Sequence, residues 1–191
     1  MPPRPIFQTL DAIWSALEQL QLPLALMGGL AMSTWKYVRA TQDVDVLIGL
    51  GSIDPAEILG CVTARGFRAK RTPPVTTLGL LRLIQLEFEP DDAFVDVQAD
   101  LLLADSEYHT QALQRRVLRQ LTGLSRDLFV LSCEDLILHK LLADRMIDRA
   151  DVAALLRANR DSLDVPYLTT WADRLGLAGR LREIGAEQAD G

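Results

Sequence analysis

The stretch from residue 24 to residue 48 constrains the fold of this chain most, because an apolar run, a glycine pair and two closely spaced carboxylates follow one another in it. Residues 24–27 are all apolar, which predicts a short buried strand. Gly28 and Gly29 come directly after this run, where a backbone without Cβ atoms can turn tightly and approach a ligand. The order predicts a strand, a glycine turn, a helix and a second, acidic strand.

The acidic strand carries Asp43 and Asp45, separated by a single residue. Side chains alternate across a strand, so both carboxylates leave the same face while Val44 and Val46 point into a core. Two like charges held this close are unfavourable unless a cation lies between them. The helix N-terminus that the glycines open suits a phosphate group. The stretch therefore predicts a site for a nucleotide and its divalent metal ion.

A third carboxylate lies further along the chain. Residues 80–88 and 93–98 are the next predicted strands, joined by the turn sequence Glu-Pro-Asp-Asp. In the second of them Asp96 alternates with Val95 and Val97, so the valines can pack inward while the carboxylate joins the acidic pair. Three carboxylates from two neighbouring strands can hold Mg²⁺ ions that bridge the phosphates of a nucleotide.

The region after residue 131 is helical in pattern. Ser132 and the acidic residues that follow it fit a capping box, and an apolar helix face comes next, with Lys140 in its reach. A lysine beside the site would offset the charge of a triphosphate. Asp148 and Asp151 are interpreted as helix-start residues, with Asp148 as the N-cap of a helix over residues 149–158.

Composition sets the outer limits of the prediction. The chain has 191 residues, 49% of them hydrophobic and 24% charged, which is typical of a folded protein with one substantial core. We expect a single structural unit with an α/β part over residues 1–131 and a helical part over residues 132–191 packed on it. A net charge of −6 argues against a broad basic face for nucleic acid, so such a partner would have to bind locally.

The same composition bears on where the protein works. Cys61 and Cys133 are too few for a disulfide scaffold, and no apolar stretch reaches the roughly 18 residues of a membrane span. We therefore expect a cytoplasmic protein that does not contact a membrane.

Three groups of residues together resemble the nucleotidyltransferase superfamily that includes DNA polymerase beta. They are Gly28-Gly29-x-Ala31, Arg39-x-Thr41-x-Asp43-x-Asp45 and Val95-Asp96-Val97. Within that superfamily the chain is most similar to the AbiEii-type toxin branch and its bacterial relatives, which share the Gly-Gly pair, the Arg-x-Thr/Ser before the acidic pair, and a later lysine helix.

The resemblance implies a fold, an activity and a set of site residues. The fold would be an α/β (α+β) nucleotidyltransferase fold, with a mixed β-sheet flanked by helices and a C-terminal helical extension. The activity would be Mg²⁺-dependent transfer of a nucleotidyl group from a nucleoside triphosphate to a hydroxyl of RNA, protein or a small molecule, in a toxin–antitoxin setting with a cognate antitoxin. The implied catalytic and metal-binding residues are Asp43, Asp45 and Asp96, and the implied nucleotide-binding residues are Gly28, Gly29, Arg39, Thr41 and Lys140.

The sequence leaves other functions open. One is a non-catalytic nucleotide-binding or partner-binding component, such as an antitoxin, and another is a purely structural interaction domain. Transfer to an aminoglycoside is a further enzymatic variant. Two arginine-rich groups could steer an anionic acceptor or could form an ordinary solvated face, namely Arg68, Lys70 and Arg71, and Arg115, Arg116 and Arg119.

Overall fold

The computed structural model describes residues 4–78, 81–91 and 93–187, so the predicted strand start at Leu80 lies outside the described residues. The described chain forms a mixed β-sheet with helices packed on it. The strands are β1 (Leu24–Met27), β2 (Asp43–Gly49), β3 (Arg68–Ala69), β4 (Val75–Leu78), β5 (Leu81–Phe88), β6 (Val97–Ala104), β7 (Val117–Gln120) and β8 (Asp127–Val130). The helices are α1 (Arg4–Glu18), α2 (Gly28–Met32), α3 (Pro55–Thr63), α4 (Glu107–Gln114), α5 (Cys133–Ala143), α6 (Met146–Asn159), α7 (Val165–Arg174) and α8 (Ala178–Glu187).

The acidic strand β2 lies in the middle of the sheet. The strand order is β3-β5-β6-β2-β1-β8-β7, and β4 pairs with the outer side of β5. β2 runs antiparallel to β1 and parallel to β6, and β1 runs parallel to β8. The sheet is therefore mixed, as the sequence predicted.

Alternation along β2 decides which side chains reach the core. Val44 and Val46 are fully buried, whereas Asp43 and Asp45 leave the opposite face and are half-buried. Helix α1 packs against β2, β6 and α3 through an apolar stripe of helical period. Apolar residues recur at helical spacing from Ile6 to Leu20, which predicts a first amphipathic helix, so this prediction and that of an inward valine pair are confirmed.

The C-terminal helices pack around α5. Every residue of this helix from Cys133 to Leu141 is buried, and α5 contacts α2, α6 and α7. The boundary predicted at residue 131 falls between β8 and α5. Within the ranges described above, no helix is both long enough and apolar enough to cross a membrane.

The strand predicted over residues 93–98 is wrong in its bounds. β6 begins at Val97 and continues to Ala104, because the ladder with β5 begins where Val97 pairs with Phe88 and the ladder with β2 begins at Gln98. Phe94 and Val95 have no such partners and are exposed, the former completely. Val95 therefore does not pack inward, and Asp96 precedes the strand.

Candidate active site

The carboxylates of Asp43 and Asp45 lie where β2 begins, beside the end of β1. In the β1–β2 ladder Asp45 is opposite Met27, the residue just before the glycine pair. The acidic pair and the glycine turn are therefore brought together by direct strand pairing. This arrangement agrees with the strand, turn and strand order that the sequence predicted.

The glycine pair is needed because the backbone passes very close to the acidic segment. Gly28 has a φ of +67°, and a Cβ atom built on it would lie 1.8 Å from Oδ2 of Asp45. A Cβ on Gly29 would lie 2.6 Å from Oγ1 of Thr41. Both distances are shorter than any real contact of a Cβ atom. No side chain fits at either position without displacing residues of the site.

Burial and like charge act together on Asp45. Burial is the main cause that raises the pKa of Asp45 to about 7, and the negative charges of Asp43 and Asp100 add to it. The positive charges of Lys140 and Arg145 act in the opposite direction but are weaker. A cation on this face of β2 would offset the charges of Asp43 and Asp100 and favour the ionised form of Asp45.

Asp100 is a carboxylate that the sequence prediction missed. It lies within β6, in register with Asp45 of β2 and on the same face. Its pKa is raised mainly by burial, and its two oxygens each accept a hydrogen bond of 3.0 Å from Nε2 of Gln98. The sequence does contain a signal for this carboxylate. Every second residue from Val97 to Leu103 is apolar, and buried in the structure, which puts Asp100 on the opposite, polar face.

Asp96 lies outside the strand but still borders the site. It is exposed and forms an ion pair of 2.7 Å with Arg68. Together with Asp43 it lines a polar cavity of about 300 Å³. The remaining residues that line this cavity are Gln42, Lys70, Glu87 and Gln98. A role of Asp96 as a metal ligand stays a prediction.

Arg39 and Thr41 support the acidic strand in the structure. Oγ1 of Thr41 donates to Oδ1 of Asp43 at 2.5 Å. Arg39 forms a two-pronged ion pair with Asp151, in which Nε donates to Oδ1 at 2.9 Å and Nη2 to Oδ2 at 3.1 Å. Their predicted contact with nucleotide stays a prediction.

Lys140 is held between two buried aspartates. Its Nζ lies 2.8 Å from Oδ1 of Asp148 and 2.8 Å from Oδ2 of Asp151, and both carboxylates are fully buried. The prediction that Asp148 is an N-cap is wrong, because α6 begins at Met146 and the N-cap is Arg145. Asp148 is the third residue of the helix, and its Oδ2 accepts from the backbone N–H of Arg145. Both aspartates thus neutralise a buried lysine.

A second, smaller cavity lies on the Asp45 side of the acidic pair. It measures about 80 Å³. The residues that line it are Met27, Gly28, Asp45, Leu136, His139, Lys140, Ala143, Arg145 and Asp148. The structure thus brings the glycine turn, the acidic strand and the lysine helix to one cavity, as the sequence predicted.

The two arginine-rich groups have different surroundings. Lys70 lines the larger cavity and pairs with Glu87, and Arg68 pairs with Asp96 at its border. Arg115 lies over the ring of Tyr167 and pairs with three acidic residues of the helical part, Glu134, Asp135 and Asp164. Arg68, Lys70 and Arg115 are therefore neutralised within the chain, whereas Arg71, Arg116 and Arg119 form no ion pair among the described residues.

The donor set of the acidic face suits Mg²⁺. Nowhere in residues 4–78, 81–91 and 93–187 are three or more His, Cys, Asp or Glu side chains grouped so that they could hold a metal ion. Mg²⁺, however, is usually bound by one or two carboxylates together with phosphates of the substrate. Asp43 and Asp45 provide two carboxylates, and a cation would relieve the crowding of charge that raises the pKa of Asp45. The residues present therefore fit this ion.

Comparison with known proteins identifies the fold. No family model and no curated protein sequence matches the chain. The crystal structure of ANT(2″)-Ia in complex with adenylyl-2″-tobramycin is similar, with a TM-score of 0.56 and 17% identity over 92% of this chain and 95% of that one. The solution structure of the same antibiotic-resistance factor gives a TM-score of 0.54 and 17% identity over 95% and 93%. JHP933 from Helicobacter pylori gives 0.47 and 15% identity over 97% and 92%.

The chain has the nucleotidyltransferase fold. An open mixed sheet flanked by helices is shared with the two ANT(2″)-Ia structures, which confirms the fold predicted from the sequence. At these identities the similarity extends to the fold alone. The toxin branch stays a prediction.

Proposed function

We propose that this protein is a Mg²⁺-dependent nucleotidyltransferase, which moves a nucleotidyl group from a nucleoside triphosphate to a hydroxyl acceptor. The observation that carries the proposal is the pairing of Asp43 and Asp45 on one face of β2, directly against Gly28. The raised pKa of Asp45 supports it, because burial, together with the like charges of Asp43 and Asp100, disfavours the bare carboxylate, and a cation would offset both.

Each residue of the site would have its own role in the transfer. Asp43 and Asp45 would hold Mg²⁺, with Asp96 or Asp100 as the third carboxylate, and the ion would stabilise the charge that develops on the phosphates. Thr41 keeps Asp43 oriented through its hydrogen bond. The acceptor oxygen forms a bond to the α-phosphorus while the bond to pyrophosphate breaks, and the proton of the hydroxyl passes to a carboxylate. Gly28 and Gly29 leave room for the phosphates beside this strand.

The support for the acceptor class comes from a structural comparison. ANT(2″)-Ia was solved with an adenylylated aminoglycoside, which favours a small-molecule hydroxyl here. RNA and protein remain the other acceptors that we propose, and a toxin role with a cognate antitoxin goes with them. The larger cavity beside Asp43, lined by acidic, basic and amide side chains, would receive the acceptor.

A transfer assay tests the proposal. The protein is incubated with each of four labelled nucleoside triphosphates, Mg²⁺ and one of three acceptors: total RNA, lysate protein or tobramycin. We expect a labelled acceptor with wild type and none with Asp45→Asn, because the variant keeps the shape of the side chain but loses its charge. Asp161→Asn, at an exposed position, is the matched control. Equal labelling by wild type and Asp45→Asn would refute the enzyme proposal.

A second candidate is a non-catalytic component that binds nucleotide or a partner. The observation in its favour is that the ammonium of Lys140 is already balanced by two carboxylates, Asp148 and Asp151. Calorimetry with nucleotide and Mg²⁺ separates it from a structural domain, because binding that disappears in Asp45→Asn requires the acidic pair. Binding without any labelled product would then favour this candidate.

A further inference from the structure

The smaller cavity beside Asp45 has the size of a single phosphate group. A water molecule needs roughly 10–15 Å³ of such space, so a cavity of about 80 Å³ holds a few waters or one tetrahedral anion. Gly28 and Asp45 form one side of the cavity, and residues from α5 and the start of α6 form the other. A phosphate there would lie between the proposed metal pair and the helical part.

The cationic side chains around this cavity are not equally able to bind a ligand. Lys140 and Arg145 are the two cations among the residues that line this cavity, and both pair with Asp148. Lys140 cannot present its charge to a ligand, because its side chain is 8% exposed and its nitrogen is enclosed by the carboxylates of Asp148 and Asp151.

Arg145 has the geometry to present its charge to an anion in the cavity. Its side chain is 68% exposed and lines the cavity. Nε and Nη2 donate to Asp148 at 2.6 Å and 3.2 Å, which fixes the plane of the guanidinium. Nη1 makes no hydrogen bond within the described part of the chain, so this edge of the guanidinium can bind an anion.

His139 is an independent indication that the cavity takes a polar ligand. It lines the cavity and is only 7% exposed. Its Nε2 is buried and has no hydrogen-bond partner among the described residues, although an orphaned polar atom of this kind costs about 1–3 kcal/mol. Its ring stacks on that of His109 at a centroid distance of 5.3 Å, so its neighbour on that side is another imidazole ring and not a carboxylate.

We infer that Arg145, rather than Lys140, binds the terminal phosphate of the nucleoside triphosphate, and that Lys140 instead balances the two buried aspartates. This inference rests on the proposed function. It assigns the triphosphate contact to a residue that the sequence pattern did not single out. It also implies that the site distinguishes triphosphates from monophosphates through this one side chain.

Calorimetry with the full chain tests the assignment. ATP, AMP and inorganic tripolyphosphate, each with Mg²⁺, are titrated into wild type, Arg145→Gln, Arg145→Lys and Arg149→Gln. Arg149 is the matched control, because it is an exposed arginine nearby whose partners, Asp144 and Glu183, lie outside the cavity. We expect Arg145→Gln to weaken ATP and tripolyphosphate about tenfold or more, since a hydrogen bond to a charged group is lost, and to leave AMP unchanged.

The companion variants and the transfer assay separate the possible failures. Arg145→Lys should lose less affinity than Arg145→Gln because it keeps the charge, and Arg149→Gln should bind as wild type does. Unchanged affinity of Arg145→Gln for tripolyphosphate and ATP would overturn the inference, even if wild type transfers nucleotide. Tripolyphosphate binding that depends on Arg145, without transfer to any acceptor, would uphold the inference and count against the proposed function. No binding of either anion by wild type would overturn both.

Discussion

Replacing Gly28 with alanine should damage both the fold and the site, because two separate costs meet at this position. The first is the backbone: a φ of +67° is left-handed, which costs a residue with a Cβ atom roughly 1–2 kcal/mol. The second is steric, since the new Cβ would lie 1.8 Å from Oδ2 of Asp45 and 2.9 Å from its Cβ. Forcing a side chain aside in a packed region costs about 1–3 kcal/mol more.

Gly176 allows the two costs to be separated. Its φ is +71°, close to that of Gly28, but nothing lies within 4 Å of a Cβ built on it. Gly176→Ala should therefore lose only the backbone cost, and Gly28→Ala should lose about 2–5 kcal/mol in total. For a chain of this length each kcal/mol lowers the melting temperature by about 2–4 °C, so the difference between the variants is measurable.

Urea unfolding of both variants gives the free energies of unfolding, and calorimetry with nucleotide and Mg²⁺ reports on the site. A third measurement places Gly28→Ala in an Asp45→Ala background, where most of the clashing side chain is gone and the substitution should cost less. If Gly28→Ala loses no more stability than Gly176→Ala and binds nucleotide as wild type does, the close approach does not constrain the site as described.

Three further predictions concern the carboxylates and the buried imidazole. Asp100→Asn should abolish transfer at least as strongly as Asp96→Asn, because only Asp100 lies in the strand beside the acidic pair; the reverse order in the labelling assay would make Asp96 the third ligand. Asp151→Asn should lower the free energy of unfolding by about 3 kcal/mol or more, since two cations lose a buried partner; a loss below about 1 kcal/mol in urea unfolding would contradict this. Burial lowers the pKa of His139 to about 3, so the folded state resists protonation and its stability is lost as the pH falls from about 6.5 towards 3, by about 2 kcal/mol at pH 5. The raised pKa of Asp45 changes stability in the opposite direction over the same range, so the measurement is the difference in the free energy of unfolding between His139→Gln and wild type, which should shift in favour of the variant by about 2 kcal/mol between pH 7 and pH 5.

The elements that the sequence predicted correctly are those with a strong local signal. The apolar run before Gly28, the alternation of Asp43 and Asp45 with buried valines, and the helical period of α1 all appear in the structure. Burial patterns of this kind are fixed by neighbouring residues and by the period of each element. They were enough to predict the acidic pair and the elements around it, whereas the fold was implied by the resemblance of the motifs to a known superfamily.

The features that were not predicted from the sequence depend on residues that are distant along the chain. The start of β6 is set by its register with β2 and β5, so the strand includes Asp100 and leaves out Asp96. The surroundings of Lys140 are set by Asp148 and Asp151. Both aspartates lie near a helix start, so their role there already explained them, and nothing in the sequence indicated that they pair with Lys140. Strands β3, β4 and β7 are short, and their exposed residues carry little periodic signal.

The ion pairs around Lys140 make the two parts of the chain depend on each other. Arg39 comes just before the acidic strand, and its partner Asp151 lies 112 residues later, in a helix of the C-terminal part. A fragment that ends at residue 131 would lose this anchor together with α5, whose buried face covers the site. The part that carries the acidic pair should therefore not form the candidate site as a separate piece, because the helices after it supply residues of that site.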